Sequence, residues 1–204
     1  MEMNRGMGQR MGKGRLEAFS DAVIAIILTI MVLEMKVPHG TDWHALKPLV
    51  PVFFSYVLSF IYIGIYWNNH HHLWHAVTQV DGRILWANMH LMFWLSLIPF
   101  VTGWMGENHF GSLPVALYGV VLLCCAIAYW IMVSSLLARH GRDSVLARAI
   151  GNDFKGRVSL LIYIAGIIIA FWMPWISCAL YVGAALWWLV PDKRIEKVLV
   201  ETKK

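Results

Sequence analysis

The sequence predicts an all-α integral membrane protein with six transmembrane helices per subunit. Composition comes first: 59% of the 204 residues are hydrophobic and 14% are charged, too apolar a balance for an ordinary soluble domain. Several apolar runs also approach or exceed the roughly 20 residues that cross a bilayer as a helix. Finally, the basic residues fall almost entirely on one side of the spans those runs define. A β-barrel would alternate apolar and polar residues in segments of about 10, and the unbroken runs contradict that. Helices satisfy their own backbone hydrogen bonds in lipid, so they are the remaining solution. The chain divides into a mobile cytoplasmic N-terminus (1–14), a six-helix transmembrane domain (15–191) and a cytoplasmic tail (192–204).

The first span is expected over 16–36. It carries Glu17 and Asp21 and runs on into MKVPHG, so it reads as a span and not as a cleaved signal peptide. The second, over 47–70, places Pro48 and Pro51 in its first turns, where proline is tolerated. The third covers 84–105, with Pro99 inside it as a candidate kink. The fourth covers 112–138. A polar loop follows over 139–157, with room for a short interfacial helix (SVLARAI). The apolar run over 158–190 would make a single helix of about 50 Å, well beyond a hydrocarbon core of about 30 Å. Pro174 sits near its middle, so the run reads as a hairpin of two short spans, 157–173 and 175–190; one kinked helix is the alternative.

With the N-terminus inside, all of the 17 Lys and Arg residues except Lys36 and Lys47 fall on the cytoplasmic side. This agrees with the positive-inside rule and with both termini cytoplasmic. The net charge of +5 therefore concerns topology, and no nucleic-acid partner is implied. Trp43, Trp67, Trp74, Trp104, Trp172, Trp175, Trp187 and Trp188 lie towards span ends, as an aromatic interface belt would. Cys124, Cys125 and Cys178 lie in apolar runs without disulfide or metal spacing and read as small core residues.

Asp21 lies about one turn inside the first apolar run. An ionisable group there either serves function or snorkels and caps near the interface. Arg15 and Asp21 are six positions apart and do not stack on one helix face, so if buried they need partners from other helices. Candidates are Asn68, Asn69, His70, His71, His72 and His75 at the end of the second span (YWNNHHHLWH), and Asn88 and His90 in the third. Arg15 and Asp21 are expected to bond His71, His90 or these Asn residues. The cluster fits structural polar packing, a gating or pH-sensing network, or a metal site, since His71 and His75 share an i,i+4 face. His39, His44 and His109 fall on the opposite side, and His140 in a loop. No nucleotide-binding loop, Ser-His-Asp arrangement, zinc signature or TVGYG-type filter is present, and no enzyme is implied.

The stretch RLEAFSDAVIAIILTIMVLEMKVP resembles the first helix of the transmembrane protein 175 family. The hallmark Arg-x-x-x-Phe-Ser-Asp is matched by Arg15, Phe19, Ser20 and Asp21. The resemblance extends to the six-span length, the Asn/His-rich end of the second helix and the polar start of the third. It implies a potassium-permeable channel of the prokaryotic, single-repeat kind in the cell membrane: a homotetramer in a lipid bilayer, with no cofactor beyond the permeant potassium ion. It further implies a pore lined by the first helix. Ile26 matches the narrowest ring, Thr29 the hydroxyl linked to selectivity, and Ile30 and Leu33 the further aliphatic rings. These positions follow the i, i+3, i+4, i+7 pattern of one helix face. Periodicity alone could not choose that face, because the helix is apolar nearly all round. Glu34, near the outer mouth, would then concentrate cations or stand as a simple exposed charge. The other function class is a proton-coupled transporter that uses Asp21 and the histidines of helices 2 and 3 as a relay; a metal-dependent membrane enzyme is the third.

Overall fold

The computed structural model describes residues 2–141, 144, 146–147 and 153–189, with side chains from residue 12 onward. Every regular element among them is helical. The first helix, α1 (Glu2–Leu33), begins upstream of the expected span and ends before Val37-Pro38, where proline forces the preceding residue out of the helical region. A short helix α2 (Trp43–Leu46) opens the next crossing. Asp42 caps it, its Oδ1 accepting from the Ala45 backbone N–H at 3.0 Å. A 3₁₀ turn (Lys47–Leu49) leads into α3 (Val50–His75), with Pro48 and Pro51 in first turns where no intrahelical N–H is needed. α3 runs past the expected end at 70.

The third crossing is broken in two, α4 (Gly82–Ser96) and α5 (Ile98–Glu107). The break at Leu97 precedes Pro99, which removes a ladder hydrogen bond and clashes with the preceding turn, so the expected kink is present. α6 (Ser112–His140) is the long helix at the centre of the bundle. It closes on Gly141, whose φ of 84° supplies the left-handed C-terminal cap, its N–H bonded to Leu137 O at 2.9 Å. His140 is in the last turn of α6 and not in a loop, a correction to the sequence reading. The expected interfacial helix and the cytoplasmic tail lie largely or wholly outside the described residues, as do Arg142, Arg148, Lys193, Arg194, Lys197, Lys203 and Lys204.

The last two described helices are α7 (Phe154–Ala170) and α8 (Pro174–Leu189). They form the hairpin expected at Pro174, which occupies the first position of α8, where a missing N–H costs nothing. Ser177 Oγ donates to Gly166 O at 2.7 Å, and Trp188 Nε1 donates to Ser159 Oγ at 2.8 Å, one bond near each end of the pair. Tyr181 explains the tight packing: its ring lies where side chains at Gly166 and Gly119 would stand, so glycine at both positions admits it. α3 and α5 approach in the same manner. A Cβ on Gly106 would come within 2.6 Å of Val52 Cα.

Van der Waals fit of this kind, together with interhelical hydrogen bonds, holds helices together in lipid, where neighbouring acyl chains are as apolar as leucine. A buried hydroxyl cluster adds to it: Ser59 Oγ lies 2.6 Å from Thr102 Oγ1 and 3.0 Å from Tyr118 OH, joining α3, α5 and α6. The core of the bundle includes Tyr62, Ile63, Leu91, Leu95, Tyr118 and Leu122. α1 packs on its outside, against α3, α4 and α5.

Candidate functional site on the first helix

Two faces of α1 have opposite environments. Leu16, Ser20, Ile24, Ile27 and Met31 recur at helical spacing and are buried against the bundle. Arg15, Phe19, Asp21, Ile26, Thr29, Ile30 and Leu33 are exposed on the chain, Ile26 at 56% and Leu33 at 78%. The sequence motif is therefore split. Ser20 turns inward, while the flanking Phe19 and Asp21 turn outward, since each step along a helix rotates the side chain by about 100°.

Ser20 anchors the inner face. Its hydroxyl donates to Leu16 O at 3.0 Å and accepts from Asn88 Nδ2 at 2.9 Å. The Asn88 Oδ1 lies 2.8 Å from His70 Nε2, which is 2.7 Å from the indole Nε1 of Trp74. That ring nitrogen has a single hydrogen or a single lone pair, so it serves the indole or the amide, one at a time. All of these side chains are buried, and they link α1, α4 and α3. Interhelical hydrogen bonds in membranes are worth about 0.6–2 kcal/mol each. A buried polar group left without its partner costs about 1–3 kcal/mol. Every buried side-chain polar atom among the described residues lies within hydrogen-bonding distance of a partner, and at His70 Nε2 two such groups share one site.

The structure places the other candidates elsewhere. Asp21 Oδ1 accepts from Trp67 Nε1 at 3.0 Å, and not from a histidine or asparagine of its own chain. Trp67 stacks on His71, with ring centroids 5.7 Å apart, and His71 meets His75 at 4.3 Å. The expected Arg15 and Asp21 partners are thus corrected: Trp67 stands between Asp21 and His71, and Arg15 has no hydrogen bond or ion pair among the described residues. His90 Nε2 accepts from Trp94 Nε1 at 2.9 Å, and Asn69 Nδ2 donates to Ile65 O of its own helix at 2.8 Å. Thr29 Oγ1 donates to Ile26 O at 2.8 Å, one turn back on its own helix. Among the described residues, no three His, Cys, Asp or Glu side chains gather as a metal site.

Trp74 is also a correction: it is fully buried in the network and does not belong to an interface belt, whereas Trp43, Trp172 and Trp175 are exposed. The sequence carried a signal for its role. His70 and Trp74, like His90 and Trp94, are four residues apart, the spacing that puts an indole N–H over an imidazole on one helix face.

Contacts flank the membrane-length part of α1, Gly12–Leu33. Lys13 Nζ donates to Val77 O at 3.0 Å, in the turn between α3 and α4. His140 Nε2 holds the same turn from α6, accepting from the backbone N–H groups of Thr78 (3.2 Å) and Gln79 (3.3 Å). At the far end, Lys36 pairs with Glu107 at 3.0 Å. Between α1 and α5 runs an open groove of about 510 Å³ whose lining includes Ile26, Ile30, Glu34, Phe100 and Trp104.

Among the described residues, four continuous or paired helical segments are long and apolar enough to cross a membrane: Gly12–Leu33, Trp43–His75, Gly82–Glu107 and Ser112–His140. A bundle of such segments, bonded internally and apolar outside, defines a multi-pass α-helical membrane protein. The chain belongs to the TMEM175 family. The model for that family, described as the endosomal/lysosomal potassium channel TMEM175, matches residues 15–99. A potassium channel of Chryseobacterium sp. (strain P1-3) is 54% identical over 191 residues, which span 94% of this chain and 100% of that one. A potassium channel of Streptomyces collinus is 36% identical over 124 residues, 57% of this chain and 60% of the other. In fold, the chain is similar to the crystal structure of a lysosomal potassium-selective channel TMEM175 homolog from Chamaesiphon minutus, with a TM-score of 0.73, 24% identity, and coverage of 88% of this chain and 97% of that one.

Proposed function

We propose that this protein is a potassium-permeable cation channel of the cell membrane, with six crossings per subunit and both termini cytoplasmic. Four copies surround an axis, and the outer face of α1 lines the path. The observation that carries this reading is the exposure of Ile26, Ile30 and Leu33 on a helix whose opposite face is buried. The family to which the chain belongs, and a full-length relative that is a potassium channel, support it further.

The chemistry follows from the side chains. Ile26 to Leu33 covers about 10 Å of helix. Rings of aliphatic side chains along that length offer an ion no replacement for its hydration shell, so a narrow ring closes the path by dewetting. Ile26 forms the tightest constriction. Thr29 is bonded to its own backbone, and its hydroxyl oxygen keeps a lone pair towards the path. Partial dehydration near Ile26 and Thr29 then sets a modest preference for potassium over sodium. The inner-face network of Ser20, Asn88, His70 and Trp74 holds α1 in position, and Asp21 and Arg15 lie near the cytoplasmic mouth.

Flux into liposomes tests the reading. A channel passes potassium down its gradient with no obligatory proton exchange. Potassium movement that stops when the proton gradient is clamped would instead establish a proton-coupled transporter working through Asp21 and the histidines of α3 and α4.

A further inference from the structure

The end of α3 carries a row of rings that the buried network does not use. Trp67, His71 and His75 follow one another at four-residue spacing, which puts them on one side of the helix. All three are exposed on the chain. Other histidines at this end of the bundle are engaged. His70 and His90 each set Nε2 against an indole N–H. His140 spends both ring nitrogens, Nδ1 on Leu136 O and Nε2 on the backbone N–H groups of Thr78 and Gln79.

His71 and His75 are arranged differently. His75 Nδ1 lies 2.9 Å from the backbone oxygen of His71, which can only accept, so Nδ1 carries the hydrogen. A neutral imidazole has one such hydrogen, and its Nε2 therefore keeps a lone pair. A backbone carbonyl on the other ring nitrogen is the support that metal-binding histidines commonly have, because it fixes the tautomer. The His71 side chain makes no hydrogen bond among the described residues; its ring stacks on Trp67. The His71 and His75 centroids are 4.3 Å apart. Two imidazoles on one ion, with metal–nitrogen bonds of about 2.0–2.1 Å, have centroids about 4.5–5.2 Å apart, so the pair has to open by under about 1 Å. The ring contacts of both side chains, and the hydrogen bond of His75, lie within α3, so no interhelical hydrogen bond is broken when they move.

We propose that His71 and His75 chelate a late first-row divalent cation, Zn²⁺, Ni²⁺ or Cu²⁺, with water in its remaining positions. Imidazole nitrogen suits these ions, whereas Mg²⁺ and Ca²⁺ take oxygen ligands. Two protein ligands are fewer than the four of a structural zinc site, so the ion exchanges with solution and the fold does not depend on it. The site does not rest on the channel reading, and its test reads metal binding, not flux.

The untagged full chain in nanodiscs, titrated with Cu²⁺ and followed by calorimetry and electron paramagnetic resonance, decides it. One tight Cu²⁺ per chain is expected, with hyperfine coupling to two imidazole nitrogens. Ni²⁺ and Zn²⁺ should displace it, and Mg²⁺ in large excess should not. His71→Ala and His75→Ala, both at exposed positions, should each weaken Cu²⁺ at least tenfold and remove the two-nitrogen signal. His72→Ala, one step off the row, should leave affinity and spectrum unchanged. A wild-type spectrum without two coupled imidazoles, or no stoichiometric binding, overturns the proposal before any variant is made. Wild-type affinity in both His71→Ala and His75→Ala overturns it by placing the ion on other residues.

Discussion

Ile26 and Ile27 are neighbours of the same residue type on one helix, yet Ile26 is 56% exposed and Ile27 is 3% exposed. The contrast extends along α1. Leu16, Ser20, Ile24, Ile27 and Met31 face a packed, hydrogen-bonded bundle, while Phe19, Ile26, Ile30 and Leu33 face outward from it. One face carries the helix's attachment, and the other is exposed on the chain, as the proposed path requires. Substitutions on the inner face should therefore act on stability, and substitutions on the outer face on permeation.

The largest expected effect tests the first half of that division. Ile27→Ala should cost about 2–5 kcal/mol of stability by leaving a cavity, while Ile26→Ala should cost under about 1 kcal/mol; chemical denaturation in detergent compares them. Equal losses would erase the distinction between the faces. Asn88→Ala comes next. It strips partners from Ser20 and His70 and should cost about 1–3 kcal/mol, again by denaturation. Ile26→Asn should leave the melting temperature nearly unchanged and raise potassium leak into liposomes about tenfold, the equivalent of about 1.4 kcal/mol off a barrier. Unchanged flux would remove Ile26 from the constriction.

Smaller effects sharpen the boundary between the faces. Trp67→Phe removes the indole donor to Asp21 and should cost about 0.5–1.5 kcal/mol at most, because the bond is solvent-exposed. A shift in the voltage or ion dependence of flux, without a stability change, would show that Asp21 serves the mouth more than the packing. Lys36→Ala breaks an ion pair whose side chains are 83% and 49% exposed and should change stability by no measurable amount.

Much of the fold was legible because its breaks follow from local backbone chemistry. Pro99 lacks the N–H that the helix ladder needs, and α4 stops at Ser96. Pro174 begins α8 for the same reason, and an uninterrupted run over 158–190 was too long for one crossing. His70 and Asn88 were recognisable as candidate partners for the polar end of the first span, but the structure joins them to Ser20 and not to Arg15 or Asp21. The network's fourth member was not recognisable. Trp74 reads as an interface residue by its position near a span end, and only its burial beside His70 and Asn88 makes it core. The same holds for Trp67 as the partner of Asp21: an exposed indole donor at a helix end is indistinguishable, in sequence, from a belt residue.

The amino-acid order alone determined that the chain is a bundle of membrane-length helices and where those helices break. Each of these depends on a segment satisfying its own backbone, and lipid enforces that segment by segment. Only the tertiary structure decided which side of α1 is attached and which is free. In lipid an isoleucine is equally compatible with an acyl chain, a neighbouring helix or an open path, so hydrophobicity carries no direction. Shape does: the inner face of α1 fits its neighbours and closes on Asn88, and what remains outside is what the protein has left to use.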